Sequence, residues 1–135
     1  LTRRPKAAFS YHGETIGVTA SYAKAIPFEA FCGRVRTAVS PDLRVLDFGK
    51  RSVRTVGVVS GGAADMIDQA ASLGVDAYVT GEPSLQGYNL AEHLNQNVVF
   101  AGHYATETFG VRALAKLLTQ RLNVSAEFVD FKIAY

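Results

Sequence analysis

The stretch Val53-Arg54-Thr55-Val56-Gly57-Val58-Val59-Ser60-Gly61-Gly62 decides how the rest of the chain is read. A run rich in β-branched residues stops at a Ser-Gly-Gly turn, as a strand does when it delivers the chain into a tight bend. Ala63–Leu73 follows with Met66, Ile67, Ala70 and Leu73 at helical spacing, and Gly74 offers a helix stop. The same succession recurs downstream. Asp76–Thr80 reads as a short strand closed by Gly81, then Ser84–Asn95 as a helix carried by Leu85, Leu90 and Leu94. Asn97–Ala101 reads as a strand closed by Gly102, then Ala105–Leu122 as a helix with Val111, Leu114, Ala115, Leu118 and Leu122 on one stripe. Strands alternating with helices need crossover connections, so the pattern predicts an α/β fold around a mostly parallel sheet.

Outside this region the pattern loosens. Ile16–Tyr22 reads as a strand, Leu43–Phe48 as another, and Glu127–Lys132 as a last one. Pro27–Val39 is an amphipathic helix with Phe28, Phe31, Cys32, Val35 and Val39 on one face, and Pro27 suits its first turn. Residues 1–10 read as linker-like, 11–52 as a central region and 53–132 as the α/β core of one domain over 1–135. The chain opens at Leu1 rather than Met, and the expectation is a C-terminal portion of a longer protein.

Composition narrows the classes. With 48% hydrophobic and 19% charged residues over 135 positions, the chain can build a real core. No apolar run approaches the roughly 20 residues a bilayer span needs, and no secretory signal pattern is present. The lone Cys32 lies among apolar helix positions and reads as a small buried hydrophobe. A reducing cytoplasm is the expected setting. The net charge of +2 is unevenly spread: residues 1–54 sum to +6 and 55–135 to −4. The basic residues of the first half are dispersed with little aromatic interleaving, so a solvated basic surface is preferred over a nucleic-acid interface.

The glycine turns Ser60-Gly61-Gly62, Thr80-Gly81-Glu82 and Gly102-His103 all follow strands. In an open parallel sheet ligands bind outside the carboxyl ends of the strands, which brings Ser60, Thr80, Glu82, His103 and Glu107 to one edge. His103 and Glu107 are four residues apart and share a helix face. Such a pair is either a solvated ion pair or two ligands of one divalent cation. The pair continues the Val111, Leu114 and Leu118 stripe, which predicts that it faces the buried side, where a bare carboxylate is costly. Glu82 is equally a helix-start carboxylate, and Ser60-Gly61-Gly62 equally a conformational turn. His12 and His93 read as ordinary histidines.

Val56–Gly62, the run Gly74-Val75-Asp76-Ala77-Tyr78-Val79-Thr80-Gly81-Glu82 and the run Ala101-Gly102-His103-Tyr104-Ala105-Thr106-Glu107 resemble the GTP cyclohydrolase I type 2 homologue family, also called Nif-three-like. The resemblance covers residues 53–132 and implies one half of a two-lobed α/β fold with a dinuclear metal site between the lobes. It implies that His103 and Glu107 are metal ligands, with Glu82 and Thr80 acting behind them or towards substrate. The family's other ligands, a His-His pair and an aspartate, have no counterpart here: either they come from a missing N-terminal half, which the start at Leu1 favours, or this protein has only half the site. Two divalent ions per complete site, zinc, iron or manganese alike, would suit a metal-dependent hydrolase of cyclohydrolase or phosphoester type. The resemblance further implies a homo-oligomeric ring, often a hexamer. The alternative is a non-enzymatic, metal-stabilised scaffold or regulatory protein acting through that assembly.

Overall fold

The computed structural model describes residues 5–131 and 133. In chain order the elements are β1 (Lys6–Tyr11), β2 (Glu14–Pro27), α1 (Phe28–Ala38), β3 (Arg44–Asp47) and β4 (Ser52–Val58). A 3-10 turn (Ala64–Met66) leads into α2 (Ile67–Ser72), followed by β5 (Ala77–Thr80), α3 (Leu85–His93), β6 (Asn97–Phe100) and α4 (His103–Leu122). The strands form one sheet in the order β1-β2-β4-β5-β6-β3. Its centre, β4-β5-β6, is parallel, while β1, β2 and β3 join antiparallel. The α/β reading therefore holds, with its parallel part in the region where strand and helix alternate. The antiparallel margins come from the first half, where a tight turn at His12-Gly13 folds β1 onto β2.

The sheet is the middle of three layers. On one face Ile67, Ala70 and Ala91 from α2 and α3 pack on Tyr78, Val98 and Phe100. On the other, Phe28, Phe31, Cys32 and Val35 of α1 pack on Val53, Val56, Ala77, Val79 and Val99. Every residue of β5 and β6 is buried, as expected of strands covered on both sides.

Several expectations change. Residues 6–10, read as linker, belong to β1. The ladder keeps one register from Lys6↔Thr19 to Tyr11↔Glu14, and Phe9 is the one residue within it that takes no ladder pair. Phe9, at φ 64°, turns its ring inward, with its centroid 5.4 Å from that of Tyr78. The helix expected over Ala63–Leu73 is split into the 3-10 turn and α2. Residues 127–131 form no strand, and Lys132 lies outside the described residues. That segment instead runs beside α4, where the Tyr104 hydroxyl donates to Asp130 (2.9 Å) and accepts from the Phe131 N–H (3.2 Å). The α4 stripe is not buried: Val111, Leu114 and Leu122 are 50–63% exposed, because no described element covers that face. Among the described residues no helix is long and apolar enough to cross a membrane.

A polar clasp closes the amino ends of the parallel strands. The Asp76 carboxylate accepts from the Arg54 N–H (3.0 Å), the Thr55 N–H (2.9 Å), the Thr55 hydroxyl (2.9 Å) and the Lys50 ammonium (3.0 Å). Burial alone would raise its pKa. The Thr55 N–H, the Lys50 ammonium, the Arg54 N–H and the Thr55 hydroxyl together outweigh it, so the carboxyl falls from 3.8 to about 2. Asn97 completes the clasp, its amide donating to the carbonyls of Lys50 (2.7 Å) and Asp76 (3.1 Å).

Candidate metal centre

At the opposite, carboxyl ends of the strands the three glycine turns meet, as the strand pattern predicts. Hydrogen bonding continues past the strands into the turns. The Gly81 N–H donates to the Gly61 carbonyl (2.8 Å) and the Gly102 N–H to the Gly81 carbonyl (3.0 Å). Thr80, fully buried, donates its hydroxyl to the Gly61 carbonyl (3.1 Å) and accepts from the Ala63 N–H (3.3 Å). Its side chain is committed to the first turn and holds that turn in shape. Ser60 is exposed at the edge.

Gly61 is set at φ 73°, and a Cβ there would stand 2.5 Å from Glu107 Oε1 and 3.3 Å from His103 Nε2. The backbone conformation calls for glycine, and a side chain there would displace the Glu107 carboxylate from its place beside His103. Thr106 ties this turn to α4: its hydroxyl accepts from the Gly61 N–H (2.9 Å) and donates back to the first turn of the helix. Sequence reasoning missed that role. Its signal was present, since a threonine between the two candidate ligands, one turn into a helix, can bond backwards to the i−4 carbonyl.

His103 opens α4 between two carboxylates. Its Nδ1 meets Glu82 Oε1 in a short contact, and its Nε2 lies 3.2 Å from Glu107 Oε1. The Glu82 carboxylate orients the ring by its contact at Nδ1, and with Nδ1–H donating to it the neutral ring leaves the lone pair on Nε2. In the neutral ring Nε2 and the Glu107 oxygen are two acceptors facing each other with room for a cation between them, and in the imidazolium Nε2–H donates to Glu107. A separation of 3.2 Å suits two donors each about 2.1 Å from one metal ion. Contrary to the expectation from the stripe, the pair is not on a buried face. The side chains of His103, Glu82 and Glu107 are 36%, 33% and 54% exposed. The cost of burial therefore gives no reason for a ligand here; the convergence of an imidazole nitrogen and a carboxylate oxygen at ligand spacing does. Among the described residues no three His, Cys, Asp or Glu side chains form a group able to hold a metal, so this edge offers two donors and a supporting carboxylate. His12 and His93 take no part in it.

Beside the pair opens a cleft of about 570 Å³ that Glu82 also lines. It lies between the β5 and β6 turns and the segment leading into β3.

A family model described as Duf34/NIF3 (NGG1p interacting factor 3) matches residues 1–134. A protein of Archaeoglobus fulgidus named "GTP cyclohydrolase 1 type 2 homolog" is 37% identical over 120 residues, 89% of this chain and 47% of its own length. A solved structure titled "protein ybgI, unknown function" superposes with a TM-score of 0.84 at 28% identity, covering 90% of this chain and 50% of that one. TTHA1606 from Thermus thermophilus gives a TM-score of 0.77 at 27% identity, over 95% and 50% of the two chains. The 135 residues thus span about half the length of the relatives they match. The glycine turns, the buried parallel strands and these likenesses agree on one assignment: the chain belongs to the Duf34/NIF3 family.

Proposed function

We propose that this chain supplies one side of a divalent-metal site and that the whole protein is a metal-dependent hydrolase. The observation that carries the reading is the convergence of His103 Nε2 and Glu107 Oε1 at 3.2 Å, behind which Glu82 holds the imidazole. His103 and Glu107 would hold the ion, and Glu82 would set the ring's orientation and basicity. Thr80 and Thr106 keep the glycine turn close beneath them. When bound, the ion would supply Lewis-acid polarisation and water activated near neutral pH, chemistry suited to a phosphoester or a ring C–N bond. Two donors make a weak site on their own. The remaining donors, a second ion and a ring-like homo-oligomer belong to the proposal for the whole protein. Zinc, iron and manganese all accept imidazole and carboxylate ligands.

Manganese titration followed by electron paramagnetic resonance tests the reading on the wild type and on the His103→Ala/Glu107→Ala double variant. Loss of bound manganese in a variant with an unchanged circular dichroism spectrum is expected. Equal metal content in both proteins would refute it. A second reading, a metal-stabilised scaffold acting through assembly, is favoured by the exposed apolar side chains along α4, among them Phe109, Val111, Leu114 and Leu117. Metal-independent assembly without metal-dependent turnover of phosphoesters or cyclic amides would select it.

A further inference from the structure

The cleft beside the metal pair has a chemistry of its own. At about 570 Å³ it is in the range that takes a small organic molecule. Pro83, Phe100 and Ala105 give it apolar walls, and Glu82, Asp42 and Arg44 are its charged lining. Glu82 is engaged by His103. Arg44 forms no ion pair with any carboxylate of the described residues, Asp42 included. It is the first residue of β3, and its register partner Phe100 is the last of β6. The antiparallel docking of β3 therefore brings a guanidinium to the same sheet edge as His103. The segment before it is tied locally, with the Asp42 N–H donating to the Ser40 hydroxyl (3.2 Å).

We propose that Arg44 is the anion-recognition residue of a substrate cleft beside the metal pair, and that the cleft takes a small organic oxyanion, a phosphate or carboxylate on an apolar or ring body. The proposal names the substrate class for the site described under Proposed function and rests on that reading. A guanidinium presents five N–H donors in a planar fork that matches a carboxylate or phosphate in bidentate fashion. Asp42, an acceptor on the same lining, favours a ligand that carries a hydroxyl or N–H donor away from its anionic end. Pro83, Phe100 and Ala105 would receive the body between them.

The test uses metal-free protein, so that affinity reports the cleft rather than the ion. Phenyl phosphate, benzoate and neutral phenol are titrated into labelled protein, and amide shifts are followed by NMR. Both anions are expected to shift the Gly81, Glu82 and Gly102 amides, with phenol at least fivefold weaker. The Arg44→Ala variant should weaken both anions at least fivefold and Arg44→Lys less. Arg51→Ala, in a surface pair with Asp47 at the opposite end of β3, should leave them unchanged. Equal binding of phenol, or equal anion affinity in Arg44→Ala, would overturn the proposal. The metal reading is judged separately: manganese bound by the Arg44→Ala protein but not by the His103→Ala/Glu107→Ala protein keeps it standing whatever the anions do.

Discussion

Replacing Asp76 with asparagine removes one charge from a clasp that is otherwise kept in shape. The asparagine oxygen can still accept from the two N–H groups and the hydroxyl that reach Oδ2, while its NH2 faces the Lys50 ammonium where Oδ1 had accepted. The Asp76 side chain is only 11% exposed, so solvent screens its contacts with Arg54 and Thr55 little, while the Lys50 side chain is 76% exposed and its share is screened. The fall of its pKa from 3.8 to about 2, at ~1.4 kcal/mol per pH unit, corresponds to about 2.5 kcal/mol of stability. The sign follows from the direction. A carboxyl depressed in the folded state binds fewer protons there than in the unfolded chain. Its contribution is complete above about pH 5 and is lost as pH falls through 3.8 towards 2. Urea denaturation from pH 7 to pH 2.5 on wild type and Asp76→Asn reads this directly. Other carboxylates titrate in both proteins and cancel in the difference. At pH 7 the variant should be less stable by about 2 kcal/mol, and the gap should shrink with acidification. Parallel profiles for the two proteins would refute the argument, as would a gap that widens below pH 4.

Two further outcomes follow from the packing and the site. Gly57→Ala places a Cβ 2.6 Å from Phe9 Cζ and should cost about 2 kcal/mol; Phe9→Leu in the same chain should recover part of it, and strict additivity in denaturation would show the clash is not the cause. Glu82→Gln should lower manganese affinity ~10–100-fold with the fold intact, and an unchanged affinity would remove Glu82 from its role behind His103.

Much of the parallel centre was legible because each strand there is a short apolar run stopped by glycine. That local signal also places the three turns at one edge. What escaped was non-local. β1 was hidden because Phe9, at φ 64°, breaks the alternation and a left-handed backbone position at a phenylalanine carries no periodic mark. The seat of β3 beside β6, which brings Arg44 to the site edge, depends on pairing between segments far apart in the chain and has no local signature. The α4 stripe shows a different limit. Its period identified an apolar face correctly, but periodicity says nothing of what covers that face, and no described element does. For His103 and Glu107, spacing alone put the two on a shared face; that Glu82 reaches the other ring nitrogen required the turn geometry.

The backbone bonds that run from Gly61 to Gly81 to Gly102 beyond the ends of the strands separate two kinds of motion. They make the strand ends one continuous piece of sheet, so the origin of His103 is anchored to the turn that carries Glu82. The rest of α4 has no buried residue, and its ties, such as the Arg112–Asp130 pair and the Thr119 hydroxyl on the Ala126 carbonyl, run to the segment that follows it. Local opening is governed by how much apolar contact a segment holds. The outer turns of α4 can thus fray, tilt or be recruited by another surface at little cost, while the imidazole and its supporting carboxylate keep their register. Movement of the outer turns is in this way mechanically insulated from the His103 end of the same helix.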